Sequence, residues 1–153
     1  MRKFAILAAS AAALVASPAF AQAKGEARVE VHGGIAWAAG TEEAFIGGDV
    51  GYDFDLGDKA FVGVEAGADK VLATGTEVFW TVGARAGIKA GAKGRAYVTG
   101  GYGFVNGGGD GPYAGVGFQQ GFGKNLYGKI EYRRTLVAGP DVNFAGAGLG
   151  FRF

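Results

Sequence analysis

Leu149-Gly150-Phe151-Arg152-Phe153 closes the sequence with a strict alternation of apolar residues and small or polar residues. Upstream, Ala145 and Ala147 continue the apolar side of the alternation. A period of two with apolar residues on one side predicts a half-buried β-strand. A soluble protein rarely ends on two exposed aromatic side chains. The stretch therefore predicts a strand whose apolar face meets lipid and whose aromatic rings lie at the membrane interface.

The other end of the sequence has the features of a secretory signal peptide. Arg2 and Lys3 form a basic region, and the apolar run 4–15 is too short to span a bilayer as a membrane anchor. Ala19 and Ala21 fit a cleavage site between small residues. We therefore expect a detached signal peptide, residues 1–21, followed by one mature domain, residues 22–153.

Composition excludes several classes of protein. Loss of Arg2 and Lys3 reduces the 15 basic residues to 13 against 14 acidic ones, so the mature net charge is −1 and a nucleic-acid partner is not expected. The absence of cysteine excludes a disulfide framework and thiol chemistry. An apolar content of 49% argues against disorder.

Eight segments of the mature chain share the period of two. Each is roughly ten residues long, which is the length that a tilted strand needs to cross a bilayer. The predicted strands are 28–37, 45–54, 60–69, 77–89, 95–104, 113–122, 126–133 and 142–153. The pattern predicts an all-β fold, a closed eight-stranded antiparallel up-and-down transmembrane barrel.

The connections between these segments alternate in character. The segments 56–58, 90–94 and 123–125 are tight glycine-containing turns, whereas 38–43, 70–76, 105–111 and 134–141 are longer. Outer-membrane barrels have short periplasmic turns and longer outside loops. The order fits a barrel with both termini in the periplasm.

Aromatic residues distinguish a membrane barrel from a soluble, lipocalin-like barrel, which would bury its apolar face instead. The predicted strands place two girdles of outward-facing rings near their ends, as membrane barrels do. The outer girdle comprises Trp37, Trp80, Tyr102, Phe104 and Tyr132, and the inner girdle comprises Tyr52, Phe54, Phe122, Phe151 and Phe153.

The C-terminal strand resembles that of bacterial outer-membrane β-barrels, whose final aromatic residue is read by the insertion machinery. The resemblance implies that Phe151 and Phe153 form the barrel-assembly signal. It also implies a location in the outer membrane of a Gram-negative bacterium, surrounded by outer-membrane lipid. Periplasmic chaperones and the barrel-assembly machinery would then be the partners during biogenesis.

The inward positions of the predicted barrel are mainly glycine or charged. An eight-stranded barrel is just wide enough to be filled by side chains, and enclosed charges must be paired. We expect one ionic network across the lumen, formed by His32, Asp49, Glu65, Arg85, Lys129, Glu131 and Arg133. Pairing the strands about the predicted turns places Asp49 opposite Glu65, and Glu65 opposite Arg85; a shift of the register by two residues would instead place Arg85 opposite Asp69 or Gly63. Such a filled interior resembles that of the OmpA-type transmembrane domain.

Catalytic and metal-binding interpretations have less support. Asp49 beside Glu65 could form an acid/base pair, but no cleft is indicated. His32, the only histidine, has no second histidine or cysteine with which to bind a metal. The only serines, Ser10 and Ser17, lie in the signal peptide, which argues against lipid-modifying outer-membrane enzymes. We expect no enzymatic activity, no metal and no cofactor.

Two functional hypotheses of different classes remain. The first is a small porin-family or OmpA-like barrel that is structural or minimally conducting. The second is a surface adhesin that binds a partner through its outer loops, as opacity-type proteins do. The loops are short and carry few hydrophobic residues apart from Leu72, Leu136 and Val137, which favours the first hypothesis.

Overall fold

The computed structural model describes residues 24–136 and 141–153 of the chain. The predicted signal peptide, with Ala19 and Ala21, lies outside the described residues, and so does Val137. Within the described ranges, no helix is long and apolar enough to cross a membrane. The strands are β1 (Gly25–Ala38), β2 (Thr41–Leu56), β3 (Ala60–Val71), β4 (Val78–Ala90), β5 (Gly94–Val105), β6 (Asp110–Gly121), β7 (Leu126–Thr135) and β8 (Asn143–Arg152).

These strands form one closed barrel in which each strand pairs antiparallel with the next. The first and last strands close it, with Val31 of β1 opposite Leu149 of β8. Closure leaves no strand edge with unpaired backbone groups, which a lipid environment cannot hydrate. The predicted closed eight-stranded antiparallel barrel is confirmed.

The two ends of the barrel differ in their connections. We call the end with the start of β1 and the end of β8 the terminal end; it also carries the turns 57–59, 91–93 and 122–125. The opposite end, the loop end, carries the connections 39–40, 72–77, 106–109 and 136–142. The first loop-end connection was predicted to be long, and this is wrong. Ala39 and Gly40 form a two-residue turn, and their φ angles of 48° and 84° are the positive values that a type I′ hairpin turn requires.

Side chains alternate between the two faces of the barrel wall. In β1, Val29, Val31 and Ile35 are exposed on the outside, whereas Glu30 and His32 are buried inside. The same inversion holds around the barrel, where many large apolar side chains are exposed and most buried side chains are polar or charged. Buried charge is therefore concentrated inside the barrel.

Candidate functional site

Glycines in the wall leave room for the long inward side chains. A Cβ atom on Gly63 would collide with the carboxylate of Asp53, and one on Gly67 would collide with that of Asp49. Each of these carboxylates comes from β2 and lies across the face of the neighbouring β3. The narrow interior can hold charged side chains from six of the strands because glycines at many inward positions of the wall have no side chain of their own.

Near the terminal end, Asp53 is the centre of an arginine cluster. It accepts a fork of hydrogen bonds from Arg85, whose Nε lies 2.9 Å from Oδ1 and whose Nη2 contacts Oδ2. Arg95 donates to the same carboxylate over 3.3 Å, and Arg28 Nε lies 3.6 Å from it. Asp53 is fully buried. One carboxylate is therefore shared by three arginines.

At mid-height, Lys129 connects three carboxylates. Its Nζ donates to Glu30 and, over 3.1 Å, to Asp49, and it lies 3.6 Å from Glu131. Tyr127 donates a 2.5 Å hydrogen bond to Glu30. The buried ammonium group is therefore neutralised by acidic groups from β1, β2 and its own strand.

Glu65 lies between this group and the arginine cluster. Its carboxylate accepts a 2.5 Å hydrogen bond from Arg28 Nη2 and another from the hydroxyl of Thr99. Because Arg28 also approaches Asp53 and Glu30, the two clusters form one continuous network.

Towards the loop end, His32 lies between two aspartates. Its Nε2 is 2.6 Å from Asp69 Oδ1, and its Nδ1 is 3.4 Å from Asp49 Oδ2. Arg133 donates to Asp69 over 2.8 Å and lies 3.0 Å from Glu131. The structure thus brings together inside the barrel the seven residues that the sequence singled out: His32, Asp49, Glu65, Arg85, Lys129, Glu131 and Arg133.

The predicted strand register is wrong by two residues at two places. Asp49 lies opposite Gly67 and not opposite Glu65, and Arg85 lies opposite Gly63. The turn after β2 comprises residues 57–59 instead of 56–58, and a turn moved by one residue shifts every cross-strand partner by two. Because Asp53 and Arg85 lie opposite Gly63 from its two neighbouring strands, Arg85 pairs with Asp53 across β3.

The sequence analysis also missed several members of this interior network. Arg28, Glu30, Asp53 and Asp69 are buried inside the barrel and were not among the residues predicted for the network. Their alternation with outward-facing neighbours was the available signal. From here on, the interior ionic network means the seven residues above together with Arg28, Glu30, Asp53, Asp69 and Arg95.

An apolar cluster closes the interior at the loop end. Phe45 and Phe144 meet edge to face with ring centroids 5.2 Å apart, and Phe79 stacks on Phe144 at 6.0 Å. Ala36, Val71 and Val142 pack around them. We call these six residues the aromatic cap. The cap was not predicted, although Phe45, Phe79 and Phe144 occupy inward positions of the alternation, next to outward-facing Ile46, Trp80 and Ala145.

Little space remains between the network and the cap. A cavity of about 10 Å³ is lined by His32, Phe45, Lys129, Glu131, Arg133, Phe144 and Gly146. This volume is enough for one water molecule. The charged side chains and the cap therefore leave no solute-sized opening at this level of the barrel.

One set of donors inside the barrel could in principle hold a metal ion. Donor atoms of Glu30, His32 and Asp49 lie within 4.8 Å of one another. The Lys129 ammonium group already contacts both carboxylates. The two carboxylates therefore serve better to balance the charge of Lys129 than to bind a metal ion.

The predicted girdle residues lie on the outer face of the barrel. Towards the loop end, Trp37 contacts Tyr132 with ring centroids 6.1 Å apart, and Tyr132 donates to Asn143 over 2.7 Å. Towards the terminal end, two ring pairs stand 4.8 Å and 5.3 Å apart, Tyr52 with Phe54 and Phe151 with Phe153. Trp80, Tyr102 and Phe104 occupy outward positions of their strands as well, and exposed Phe122 directly follows the end of β6.

Three solved barrels are similar in fold to this chain. The attachment invasion locus protein Ail of Yersinia pestis has a TM-score of 0.65 at 13% identity, over 86% of this chain and 99% of Ail. The N-terminal barrel domain of Pseudomonas aeruginosa OprF has a TM-score of 0.60 at 19% identity, over 86% and 100% of the two chains. Neisserial surface protein A has a TM-score of 0.58 at 12% identity, over 84% and 97%.

Sequence comparison identifies the family. No curated protein shows significant sequence similarity to the chain. The model of the outer membrane protein beta-barrel domain matches residues 6–153, which is nearly the whole sequence. The closed barrel, with apolar side chains outside and charged ones inside, is the architecture expected of that family. The chain therefore belongs to the outer membrane protein beta-barrel domain family.

Proposed function

We propose that this protein is a structural, non-enzymatic barrel of the outer membrane whose lumen conducts ions minimally or not at all. The observation that carries the proposal is the filled interior. The interior ionic network occupies the barrel from Asp53 to Asp69, and the aromatic cap covers it at the loop end.

Conduction would require these contacts to break. A permeating ion would have to replace partners of buried groups such as Lys129 or Asp53, and an unpaired charge is costly in a low-dielectric interior. It would also have to pass the rings of Phe45 and Phe144, whose centroids are only 5.2 Å apart in the narrow interior of an eight-stranded barrel. Both requirements favour a closed ground state.

Conductance of the purified protein in planar bilayers tests the proposal. We expect only small, rare current events from the wild type, with insertion verified by heat-modifiable gel mobility. A variant without the cap, Phe45→Ala/Phe79→Ala/Phe144→Ala, serves as the matched comparison and should show more frequent events. Large, steady currents from the wild type would contradict a closed lumen.

Export and assembly belong to the same proposal. A signal peptide, residues 1–21, would direct the chain across the inner membrane. Phe151 and Phe153 are exposed on the outer face at the end of β8 and take no part in the interior ionic network. This exposure supports their proposed roles as an assembly signal for the insertion machinery and as contacts to outer-membrane lipid.

Binding of a surface partner through the loop end is the second candidate function. Exposed Leu72 and Leu136 in these connections favour it. The connections at this end are short, which limits the area that a partner could contact. A loss of cell binding in a Leu72→Ser/Leu136→Ser variant would support this alternative.

A further inference from the structure

The two rims of the barrel carry opposite charges. Each turn at the terminal end contains an exposed lysine, and another exposed lysine precedes β1. These four residues are Lys24, Lys59, Lys93 and Lys124. The loop end shows the reverse pattern, because acidic residues lie in or beside its connections. They are Glu42, Glu43, Glu77, Asp110 and Asp141.

Acidic groups at the terminal rim only partly offset these lysines. Asp55 pairs with Lys89 over 2.9 Å, and Glu26 pairs with Arg95 and Arg152. Asp58 is the remaining acidic side chain of the described residues at this rim, and it is exposed. The turn lysines therefore give the terminal rim a net positive charge.

The cations near the loop rim are already engaged. Arg134 forms a 2.6 Å ion pair with Asp141, and Lys70 donates to the backbone oxygen of Thr76. The acidic side chains Glu42, Glu43 and Glu77 are exposed. The charge difference between the rims thus persists after the ion pairs are considered.

The position of the turn lysines places them at the height of lipid headgroups. Lys124 follows outward-facing Phe122 by two residues, and Lys59 follows exposed Leu56 by three. A polar headgroup layer of roughly 5–8 Å lies beyond each face of the hydrocarbon core. A lysine just beyond the apolar band can extend its ammonium group into that layer.

We propose that the terminal rim binds acidic phospholipid headgroups, with Lys59, Lys93 and Lys124 facing phosphate groups around its circumference. The proposal rests on the proposed function, in which the barrel spans the outer membrane as members of its family do. Basic residues close to an anionic membrane surface are attracted to it, and salt screens the attraction. The acidic loop rim offers no such site, so the barrel would discriminate between lipids at one end only.

Lipid-specific fluorescence quenching tests this inference. A reporter protein carries Phe122→Trp at the terminal rim, with Trp37→Phe and Trp80→Phe removing the native tryptophans. It is refolded in phosphatidylcholine vesicles that contain either brominated phosphatidylglycerol or brominated phosphatidylcholine. We expect stronger quenching by the brominated phosphatidylglycerol at equal mole fraction, and this difference should shrink as sodium chloride is added.

Three matched variants in the reporter protein assign the effect to the lysines. Lys59→Gln/Lys93→Gln/Lys124→Gln should lower the relative binding constant for phosphatidylglycerol by about fivefold or more. The charge-preserving Lys59→Arg/Lys93→Arg/Lys124→Arg should retain it. Glu42→Gln/Glu43→Gln/Glu77→Gln, at the other rim, should leave it unchanged.

Two outcomes would overturn the inference. One is equal quenching by both brominated lipids in the reporter protein that retains all of its lysines, with folding verified by gel mobility. The other is a pair of results: the protein cosediments with purified peptidoglycan only when the three lysines are present, and its preference for phosphatidylglycerol is the same with and without them. That result would assign the rim to an anionic glycan instead of a lipid.

Discussion

The terminal half of the barrel interior and its loop end are filled by different chemistry. Around Asp53 and Lys129, space is occupied by charged side chains that need partners, whereas around Phe144 it is occupied by rings that need only close contact. A missing partner in the first region leaves a buried charge, and a missing ring in the second leaves a cavity. The two regions should therefore respond differently to substitution.

Removal of the central lysine should have the largest effect. Lys129→Met keeps much of the side-chain volume but leaves Glu30 and Asp49 without their shared cation. We expect a loss of about 3–5 kcal/mol in the free energy of unfolding, measured by urea titration in lipid vesicles. The control Lys89→Met removes a partly exposed ion pair with Asp55 and should cost at most about 1 kcal/mol. Equal losses of unfolding free energy in the two variants would show that burial of the ion pair does not determine its contribution to stability.

Truncation in the aromatic cap should have the next largest effect. Phe144→Ala removes contacts with Phe45 and Phe79 and leaves a cavity. We expect the free energy of unfolding to fall by about 3 kcal/mol as a result. The same titration measures it. Phe144→Leu, which retains apolar volume, should recover most of the loss. If both variants match the wild type, the cap does not contribute to stability.

Removal of Arg85, which shares the carboxylate of Asp53 with two other arginines, should lower the free energy of unfolding by less than truncation of the cap does. Arg85→Ala removes the fork to Asp53, but Arg95 and Arg28 remain near that carboxylate. We expect destabilisation of about 2 kcal/mol, the scale of hydrogen bonds to charged groups. Glu65→Gln should cost less than Arg85→Ala, because an amide oxygen can still accept from Arg28 and Thr99. A reversed order would mean that Glu65, and not Asp53, is the main partner of the arginines.

The smallest effect on intrinsic stability is expected outside the barrel. Phe153 lies on the outer face, where one aromatic side chain contributes at most about 1–3 kcal/mol of apolar burial. Its deletion should lower the amount of barrel inserted in cells while detergent refolding stays near that of the wild type. Equal deficits in the two assays would show that Phe153 acts only as part of the fold.

The sequence predicted those features that depend on local alternation. A period of two identified the strands, and in β1 it correctly assigned Val31 to the outside and His32 to the inside. It did not predict the register, because a one-residue difference in the turn after β2 changes the β3 partner of Asp49 without changing any face. It also did not reveal the cap. Alternation places Phe45 on the inward face of β2, but only tertiary packing decides that the three phenylalanines of the cap meet one another across the interior.

The closure between β1 and β8 has a consequence for the order of folding. Lys129 and Glu30 are 99 positions apart in the chain, and Arg133 and His32 are 101 apart. These contacts cannot form until the last strands have been synthesised and brought to the first. Topologies dominated by such distant contacts fold slowly. During that delay Glu30 and His32 lack their partners from β7, so compensation of the interior charge is a late event in folding.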